Sequence, residues 1–460
     1  MQNLFDLPLG FWVSLAAVAG VALHAWSHRR EAWGLPVIAV CGTVLAWYHG
    51  NAVYGDYKTF SRQFSYEAMA AAWWQITAFA ASFAILAPIV HGKLNPARIG
   101  RQSTVLALIG AKDALARLQR PLKLTLGPLV VIWSALSVAA LVRTGFDWSG
   151  LFAPWLGHLA SPWARPRVGG SYDFLLALVA YVNLFCLAGF GVVAALAKSP
   201  RLCSAALALL AVSWPAVFFD RTRNTMLAVL LPGLLCLVFL RLRGRPLVQA
   251  GVLASVFLAV SSWFAFVLAH RSSEAIAAAF AAGKLTEKAA EKHEGLNMFE
   301  ELCWINTFLQ QGAYRPNWGA RYFAEAVNAI PRGVWKNKPT IGLDYAVLRG
   351  QGQAGKSDES VNATVSTGMI GQGVVNFGPW GGPPAAALLM SVWVAMLARF
   401  DLTGYRPGRL LLYALGLVLT FNLGRDITLL VAFPLVFGYA IVRLAEKWTT
   451  SASAGRRPFV

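Results

Sequence analysis

Long uninterrupted apolar runs dominate this sequence and restrict what the chain can fold into. Only 13% of its residues are charged, whereas a soluble domain carries about 25%. Unbroken runs favour helices over a membrane β-barrel, whose strands alternate polar and apolar residues. The sequence therefore predicts an all-α, polytopic transmembrane helix bundle. Eleven segments approach the roughly 20 residues that a helix needs to cross a bilayer, namely 8–26, 34–50, 68–91, 123–142, 172–197, 202–219, 225–241, 247–269, 379–398, 408–424 and 427–444.

The distribution of basic residues predicts how these spans are oriented. The formal net charge is +19, and almost all of the excess falls in one alternate set of loops. That set holds 21 basic and four acidic residues, while the opposite set holds 19 basic and 17 acidic residues. Cytoplasmic loops carry the excess of Lys and Arg, so the N-terminus is expected outside and the C-terminus inside. The charge is thus a signal of topology and of contact with anionic membrane lipids, and it does not indicate nucleic-acid binding.

The spans divide the chain into three predicted parts. Residues 1–270 form the first eight spans, 271–377 form a large external loop, and 378–460 form the last three spans with a cytoplasmic tail. In the loop, the apolar residues of 296–311 recur at helical spacing, which predicts an amphipathic helix lying over the bundle, with Glu301 on another face. A second helix is expected over 320–330. On the cytoplasmic side, 104–118 is expected to be an amphipathic surface helix.

Several kinds of chemistry leave no sign in the sequence. Four of the five cysteines lie in apolar runs, where a free thiol packs as a small hydrophobe. There is no CxxC pair to suggest a zinc or redox site. Neither a GxxxxGK[ST] loop nor a GxGxxG turn after a strand is present, which argues against a nucleotide-driven machine. We expect no metal and no cofactor.

Three segments resemble a family of membrane enzymes. They read DRTRNTML at 220–227, IPRGVWKNKP at 330–339 and STGMIGQGVVNFGPWGG at 366–382. Together with the layout of spans around one long external loop, they resemble the Wzy-type oligosaccharide repeat-unit polymerases of the O-antigen polymerase and ligase superfamily.

That resemblance implies a function and its partners. The chain would be a bacterial inner-membrane glycosyltransferase with its active face in the periplasm. It would polymerise repeat units carried on undecaprenyl pyrophosphate into O-antigen, capsule or exopolysaccharide, without a metal ion. A chain-length regulator is an expected partner. Because the donor is already activated, neither a nucleotide nor a redox cofactor is needed.

Basic residues of the predicted external face are the candidates for holding the pyrophosphate. Arginine suits this task because its planar guanidinium forks onto phosphate oxygens and is always charged. By the resemblance, Arg223 matches the arginine at the start of this span in the superfamily and ranks above its neighbour. Each candidate could instead be an ordinary turn, ion-pair or headgroup contact. The candidates are Arg221, Arg223, Arg332, Lys336 and Arg425.

A general base would assist the attack of the acceptor hydroxyl. The candidates are Glu301, Asp426 and His270. Asp426 follows Arg425 in a hairpin with almost no loop, so both lie at or below the interface, where ionisable residues are often functional or paired with one another. Glu300, Glu325 and Asp344 are further carboxylates of the external loop, although each alone is typical of a solvated charge.

Two other functions compete with polymerisation. The first is O-antigen ligation, the same chemistry on a different acceptor, for which a periplasmic histidine such as His270 would matter. The second is a non-enzymatic flippase or transporter. No internal hydropathy repeat and no ionisable residue at a span centre is evident, and both are common in transporters.

Overall fold

The structure is a computed structural model of the chain. It describes residues 7–54, 57–98, 103–143, 145–147, 173–218, 223–269, 297–327, 330, 333–339, 342–350, 365–427 and 429–454. These residues form helices and connecting turns and contain no β-strand, as the apolar runs predict.

The first half of the chain contributes ten helices to the described part of the structure. Helix α2 continues beyond Val44 as a π-helical stretch, Leu45–Gly50, and a last turn, Asn51–Tyr54. The helices are α1 (Leu9–Ser27), α2 (Gly34–Val44), α3 (Tyr57–Gln63), α4 (Tyr66–Leu94), α5 (Thr104–Gly110), α6 (Ala114–Arg143), α7 (Asp173–Leu196), α8 (Pro200–Phe218), α9 (Arg223–Cys236), which continues as a π-helical Leu237–Arg241, and α10 (Pro246–Ala269).

The second half contributes short helices of the predicted external loop, followed by long apolar ones. They are α11 (Met298–Gln310), α12 (Ala320–Val327), α13 (Leu343–Leu348), α14 (Met369–Leu397), α15 (Pro407–Arg425) and α16 (Leu429–Ala454).

Every predicted span coincides with one of these helical stretches. Within the described part of the chain, seven helices are long and apolar enough to cross a membrane, which marks the chain as a multi-pass membrane protein by length and composition. The total of eleven spans stays a prediction. The seven are Leu9–Ser27, Tyr66–Leu94, Ala114–Arg143, Leu178–Leu196, Pro246–Trp263, Met369–Leu397 and Pro407–Arg425.

The loops that carry the basic excess meet at one end of the bundle, which we call the basic end. The amide of Ser103 donates a hydrogen bond to the carbonyl of Arg30, and Thr104 Oγ1 donates to the carbonyl of Phe400. Arg399 Nε donates to Asn95 Oδ1 at 2.9 Å, which ties α14 to α4. On the other side of this end, Arg241 and Lys198 join the connections of α6, α7 and α9. The helices therefore alternate in direction as the charge pattern predicts.

Helix α14 is a hairpin of two helical arms. Gly378 has φ 75° and ψ −180°, outside the helical region, and the chain folds back there. A Cβ on Gly382 would overlap the backbone of Gly373 and Val374, so the arms touch backbone to backbone. The second arm, 379–397, corresponds to the predicted span 379–398. The first arm, 369–377, lies inside the predicted external loop, yet its side chains are almost all buried in the bundle.

Helix α11 confirms the amphipathic prediction for 296–311, with a more polar buried face than expected. Phe299 stacks on Trp73 of α4, with 4.0 Å between ring centroids. Asn306 exchanges side-chain hydrogen bonds with Gln75 of α4, at 2.7 and 3.1 Å. Because each amide satisfies the other, both can be buried without a lost hydrogen bond.

Two other predicted helices differ from their expected extent. The 320–330 helix ends at Val327, before the Pro331 that limits it. The predicted surface helix 104–118 is two helices, because the helical conformation is interrupted between Gly110 and Ala114. Its second half is continuous with the following span, so α6 begins nine residues before the apolar run at 123. Exposed Arg117 pairs there with Asp113 at 2.6 Å.

Candidate functional site

A cluster of buried polar side chains lies at the end of the bundle opposite the basic end. Arg321 of α12 is at its centre and is only 4% exposed. Helix α12 positions it by packing on the first arm of α14: the amide of Tyr322 donates to Asn376 Oδ1, and Asn317 N donates to Val375 O at 3.1 Å. Gly342 covers the guanidinium. Its φ is +63°, and a Cβ there would come within 3.3 Å of Arg321 Cζ.

Asp426 brings a carboxylate to this guanidinium. The residue caps α15 in an extended conformation, with φ −158° and ψ 131°. Its Oδ1 accepts hydrogen bonds from the amide and hydroxyl of Thr367, at 3.3 and 3.2 Å. Arg321 Nη2 lies 3.9 Å from the same oxygen, an ion-pair separation that is too long for a hydrogen bond. The carboxylate is thus fixed by Thr367 while the arginine remains loosely paired.

The cluster contains buried polar atoms without a protein partner. Among the described residues, no hydrogen-bond partner contacts Arg321 Nε, Arg321 Nη1, Glu325 Oε2 or the Tyr322 hydroxyl. Leaving one such group buried and unsatisfied costs about 1–3 kcal/mol, and more if it is charged. Four of these atoms on one turn and a half of helix α12 are expensive for stability alone. Buried polar groups are normally hydrogen-bonded, so a bound polar ligand, ion or water is needed to satisfy these atoms.

Glu325 is a neutral acid in this environment. It lies one turn after Arg321 on α12 and is 4% exposed. Burial, and to a smaller extent the nearby Asp426 charge, raise the pKa of its carboxyl to about 8, against the opposing effect of Arg321. The carboxyl is therefore protonated at neutral pH and can donate a hydrogen bond. Burial also raises the pKa of Tyr322, which keeps its hydroxyl protonated.

A network from α14 holds the Asp426 segment in place. Gln372 makes two hydrogen bonds to the backbone of Ile427, at 3.2 and 2.8 Å. The hydroxyl of Tyr48, in the π-helical part of α2, accepts from the amide of Ile370 at 3.0 Å. Gly368 has φ +76°, and a Cβ there would meet the Tyr48 hydroxyl. The first arm of α14 therefore connects α2, α12 and the end of α15.

Of the predicted site residues, Asp426 lies in this cluster, and Arg425 precedes it in the chain. Arg425 is the last residue of α15 and is half-buried. Asp426 is the predicted base candidate that contacts the buried arginine.

Glu301 lies in a different set of contacts. It is 1% exposed, so the helix face that carries Glu301, which was expected to differ from the apolar face, is buried as well. Arg349 grips the carboxylate with two nitrogens, at 3.2 and 3.0 Å, and the Tyr345 hydroxyl donates to Oε2. The Arg349 guanidinium also lies 4.6 Å from the centre of the Trp304 ring. This bidentate ion pair holds the segment around α13 against α11. The Glu301 carboxylate already accepts hydrogen bonds from Arg349 and Tyr345.

The remaining candidates are basic residues and one histidine. Lys336 is exposed, whereas its neighbour Lys338 is buried and donates to the carbonyl of Ile330 at 3.0 Å. Arg223 is the first residue of α9. Arg221, Arg332 and His270 lie outside the described residues. Asp344 accepts a hydrogen bond from the Tyr314 hydroxyl, and burial raises the pKa of that tyrosine.

Sequence reasoning did not select the two residues at the centre of the cluster. Arg321 was not among the predicted phosphate contacts, and Glu325 was one of several loop carboxylates. A signal was available in the order Arg-Tyr-Phe-Ala-Glu at 321–325. It places a base and an acid four residues apart, on one face of a helix. Nothing in that pattern tells whether the face is solvated or buried.

Comparison with protein families, curated proteins and solved structures finds no match for this chain. The assignment of function therefore rests on the geometry of the cluster and on the three sequence segments described above.

Proposed function

We propose that the chain is a membrane glycosyltransferase that joins oligosaccharide repeat units carried on undecaprenyl pyrophosphate. The observation that carries the proposal is the buried guanidinium of Arg321, with Nε and Nη1 unpartnered among the described residues. A planar, permanently charged fork of this kind suits the oxygens of a phosphate or pyrophosphate. It lies at the end of the bundle away from the basic loops, where a lipid-linked donor would present its pyrophosphate.

The reaction needs one displacement. The acceptor hydroxyl attacks the anomeric carbon of the donor, the new glycosidic bond forms, and the bond from that carbon to the pyrophosphate oxygen breaks. Asp426 is the residue that we assign to receive the hydroxyl proton, because Thr367 fixes its carboxylate beside Arg321. It takes precedence over Glu301, whose carboxylate is held by Arg349 and Tyr345. The lipid pyrophosphate leaves as the anion.

Arg321 would stabilise the charge that develops on this leaving group. A preorganised donor aimed at developing charge contributes on the order of 3 kcal/mol to the transition state. Arg425, at the end of α15, is the nearest of the predicted basic residues in sequence to Asp426 and would be a second contact. The other candidates for holding the pyrophosphate stay predictions, namely Arg221, Arg223, Arg332 and Lys336.

The location of the enzyme follows from the charge pattern. With the basic end in the cytoplasm, the cluster would face the periplasm of a bacterial inner membrane. The product would be O-antigen, capsule or exopolysaccharide, and a chain-length regulator would be a natural partner.

Glycan gels of a strain that lacks the chain test the proposal. We expect single repeat units on the lipid carrier or the cell surface and no long polymer, with polymer restored by the wild-type chain. Long polymer that accumulates on the lipid carrier, unattached to its acceptor, would instead indicate a ligase. Unchanged long polymer at the surface, in a background with no second polymerase, would contradict the proposal.

A further inference from the structure

Glu325 has a place in the cluster that neither the phosphate contact nor the base explains. We propose that Glu325 is a neutral carboxylic acid that donates a hydrogen bond to the anion held by Arg321. This inference rests on the proposed function, because it concerns the same anion. It assigns Glu325 to anion binding rather than to proton abstraction.

The geometry of α12 directs both residues to one ligand. Arg321 and Glu325 are four residues apart, so their side chains lie on the same face of the helix. Both are 4% exposed, and each has at least one buried polar atom that contacts no partner among the residues described. Tyr322, whose hydroxyl is also such an atom, is a third residue of the same helix with an unpartnered group among the described residues. A single anion with several oxygens would satisfy all of these groups at once.

The charges around Glu325 decide which protonation state the site can use. Arg321 contributes one positive charge and Asp426 one negative charge, while the Tyr322 and Tyr48 hydroxyls are neutral. Arg425, the proposed second contact, adds another positive charge. With Glu325 protonated, these groups sum to plus one, and the site can attract an anion. With Glu325 ionised, they sum to zero, and two carboxylates would face the ligand. Like charges in a buried site repel strongly, so the ionised form opposes anion binding.

A base role for Glu325 would require the opposite state. A general base must be ionised before the reaction, but burial and the Asp426 charge both favour the protonated form of Glu325. Asp426, whose carboxylate accepts hydrogen bonds from the amide and hydroxyl of Thr367, is the residue assigned as the base. The two acids therefore divide the work: Asp426 accepts a proton and Glu325 keeps one.

The pH dependence of anion binding follows from this division. The pKa of Glu325 is raised to about 8, so its proton is present at neutral pH and is lost as the pH rises through that value. Above it, the protonated fraction falls about tenfold per pH unit, and the affinity for the anion should fall with it. An amide at this position cannot ionise, yet it keeps a hydrogen-bond donor.

The experiment uses the full chain, purified in detergent, with sodium pyrophosphate as the probe. Binding is measured by calorimetry from pH 6.5 to 9.5 for the wild type, Glu325→Gln and Glu325→Ala. Glu67→Gln is the matched control, since Glu67 is an exposed glutamate in the first turn of α4. All variants meet the same ionisation of the probe, so differences between their pH profiles report on the protein.

We expect Glu325→Gln to bind within about threefold of the wild type at pH 7 and to lose less affinity than the wild type above pH 8. Glu325→Ala should bind at least tenfold more weakly, and Glu67→Gln should follow the wild type throughout. A Glu325→Gln variant that folds but binds as weakly as Glu325→Ala, or that keeps the wild-type pH profile, would overturn this inference. If those results came with intact polymer formation by the wild type, the proposed function would stand. Absence of pyrophosphate binding by the wild type at every pH would overturn both.

Discussion

Arg321 and Asp426 face each other across 3.9 Å although they are separated by more than a hundred positions in the chain. Asp426 accepts its hydrogen bonds from Thr367. Arg321 is therefore attracted to the carboxylate by charge but donates no hydrogen bond to it. A buried pair of this kind gains little stability. Its looseness leaves the guanidinium donors free to bind a ligand, which is what an anion site requires.

Replacing Asp426 by asparagine tests the proposed base. The amide keeps an oxygen for the Thr367 hydrogen bonds but cannot accept a proton, so polymer formation should fall by roughly 10²–10⁴-fold. Glycan gels at matched membrane levels measure the effect. Asp401→Asn is the control, because Asp401 is at the basic end and caps Thr403. Equal polymer from both variants would show that the proton goes elsewhere.

The Glu301–Arg349 pair should matter for stability rather than for chemistry. Glu301→Gln leaves Arg349 buried without its charge partner, and breaking such a pair costs about 3–5 kcal/mol. We expect a lower melting temperature in detergent and less protein in the membrane. Replacing both residues by methionine should recover much of the loss, because no buried charge is then left unpaired.

The amount of polymer formed per molecule of protein distinguishes a structural role of Glu301 from the sequence-based expectation that it is the general base. The double methionine variant should form polymer in proportion to its abundance. A Glu301→Gln protein that is abundant and stable but forms no polymer would restore Glu301 as a catalytic residue.

The sequence predicts the elements of this protein better than its site. Apolar runs and loop charges indicate the helices and their alternating directions because each is a local property. The site depends on partners distant in the chain. Glu301 was expected on a different face from the apolar residues, and only the fold brings Arg349 and Tyr345 to cover it. Arg321 is an ordinary loop arginine in sequence, and its importance comes from burial under Gly342 beside Asp426.

The hairpin in α14 can be tested at its point of closest approach. Gly382→Ala places a methyl group against the backbone of Gly373 and Val374, so the arms must separate. Overpacking of this kind costs about 1–3 kcal/mol and should also displace Gln372 from Ile427. Gly251→Ala in α10 is the control, because a Cβ there meets nothing within 4 Å.

We expect Gly382→Ala to lower both the melting temperature and polymer formation. Gly251→Ala should be neutral or slightly stabilising, since alanine favours a helix by up to about 1 kcal/mol over glycine. Similar melting temperatures for Gly382→Ala and the wild type would mean that the arms are not in close contact.

Reporter fusions test the orientation of the bundle. A fusion after Glu294 should report an extracytoplasmic position and one after Trp448 a cytoplasmic position, because the basic loops converge at one end. An alkaline phosphatase and a green fluorescent protein reporter at each site give opposite readouts. A cytoplasmic signal from the first fusion would move the cluster to the wrong face for a lipid-linked donor.

Replacing Arg321 by lysine tests whether the planar guanidinium of this residue binds the pyrophosphate of the donor. Lysine keeps the charge but offers a point charge in place of a planar fork, and loss of one contact to a developing charge costs about a hundredfold in rate. The measurement is polymer length and amount on glycan gels of the deletion strain, complemented at matched membrane levels with wild type, Arg321→Lys or Arg315→Lys. Arg315 is an exposed arginine of the same segment. We expect near-complete loss of polymer for Arg321→Lys and normal polymer for Arg315→Lys. Normal polymer from a stable Arg321→Lys protein would contradict the proposal that Arg321 binds the pyrophosphate.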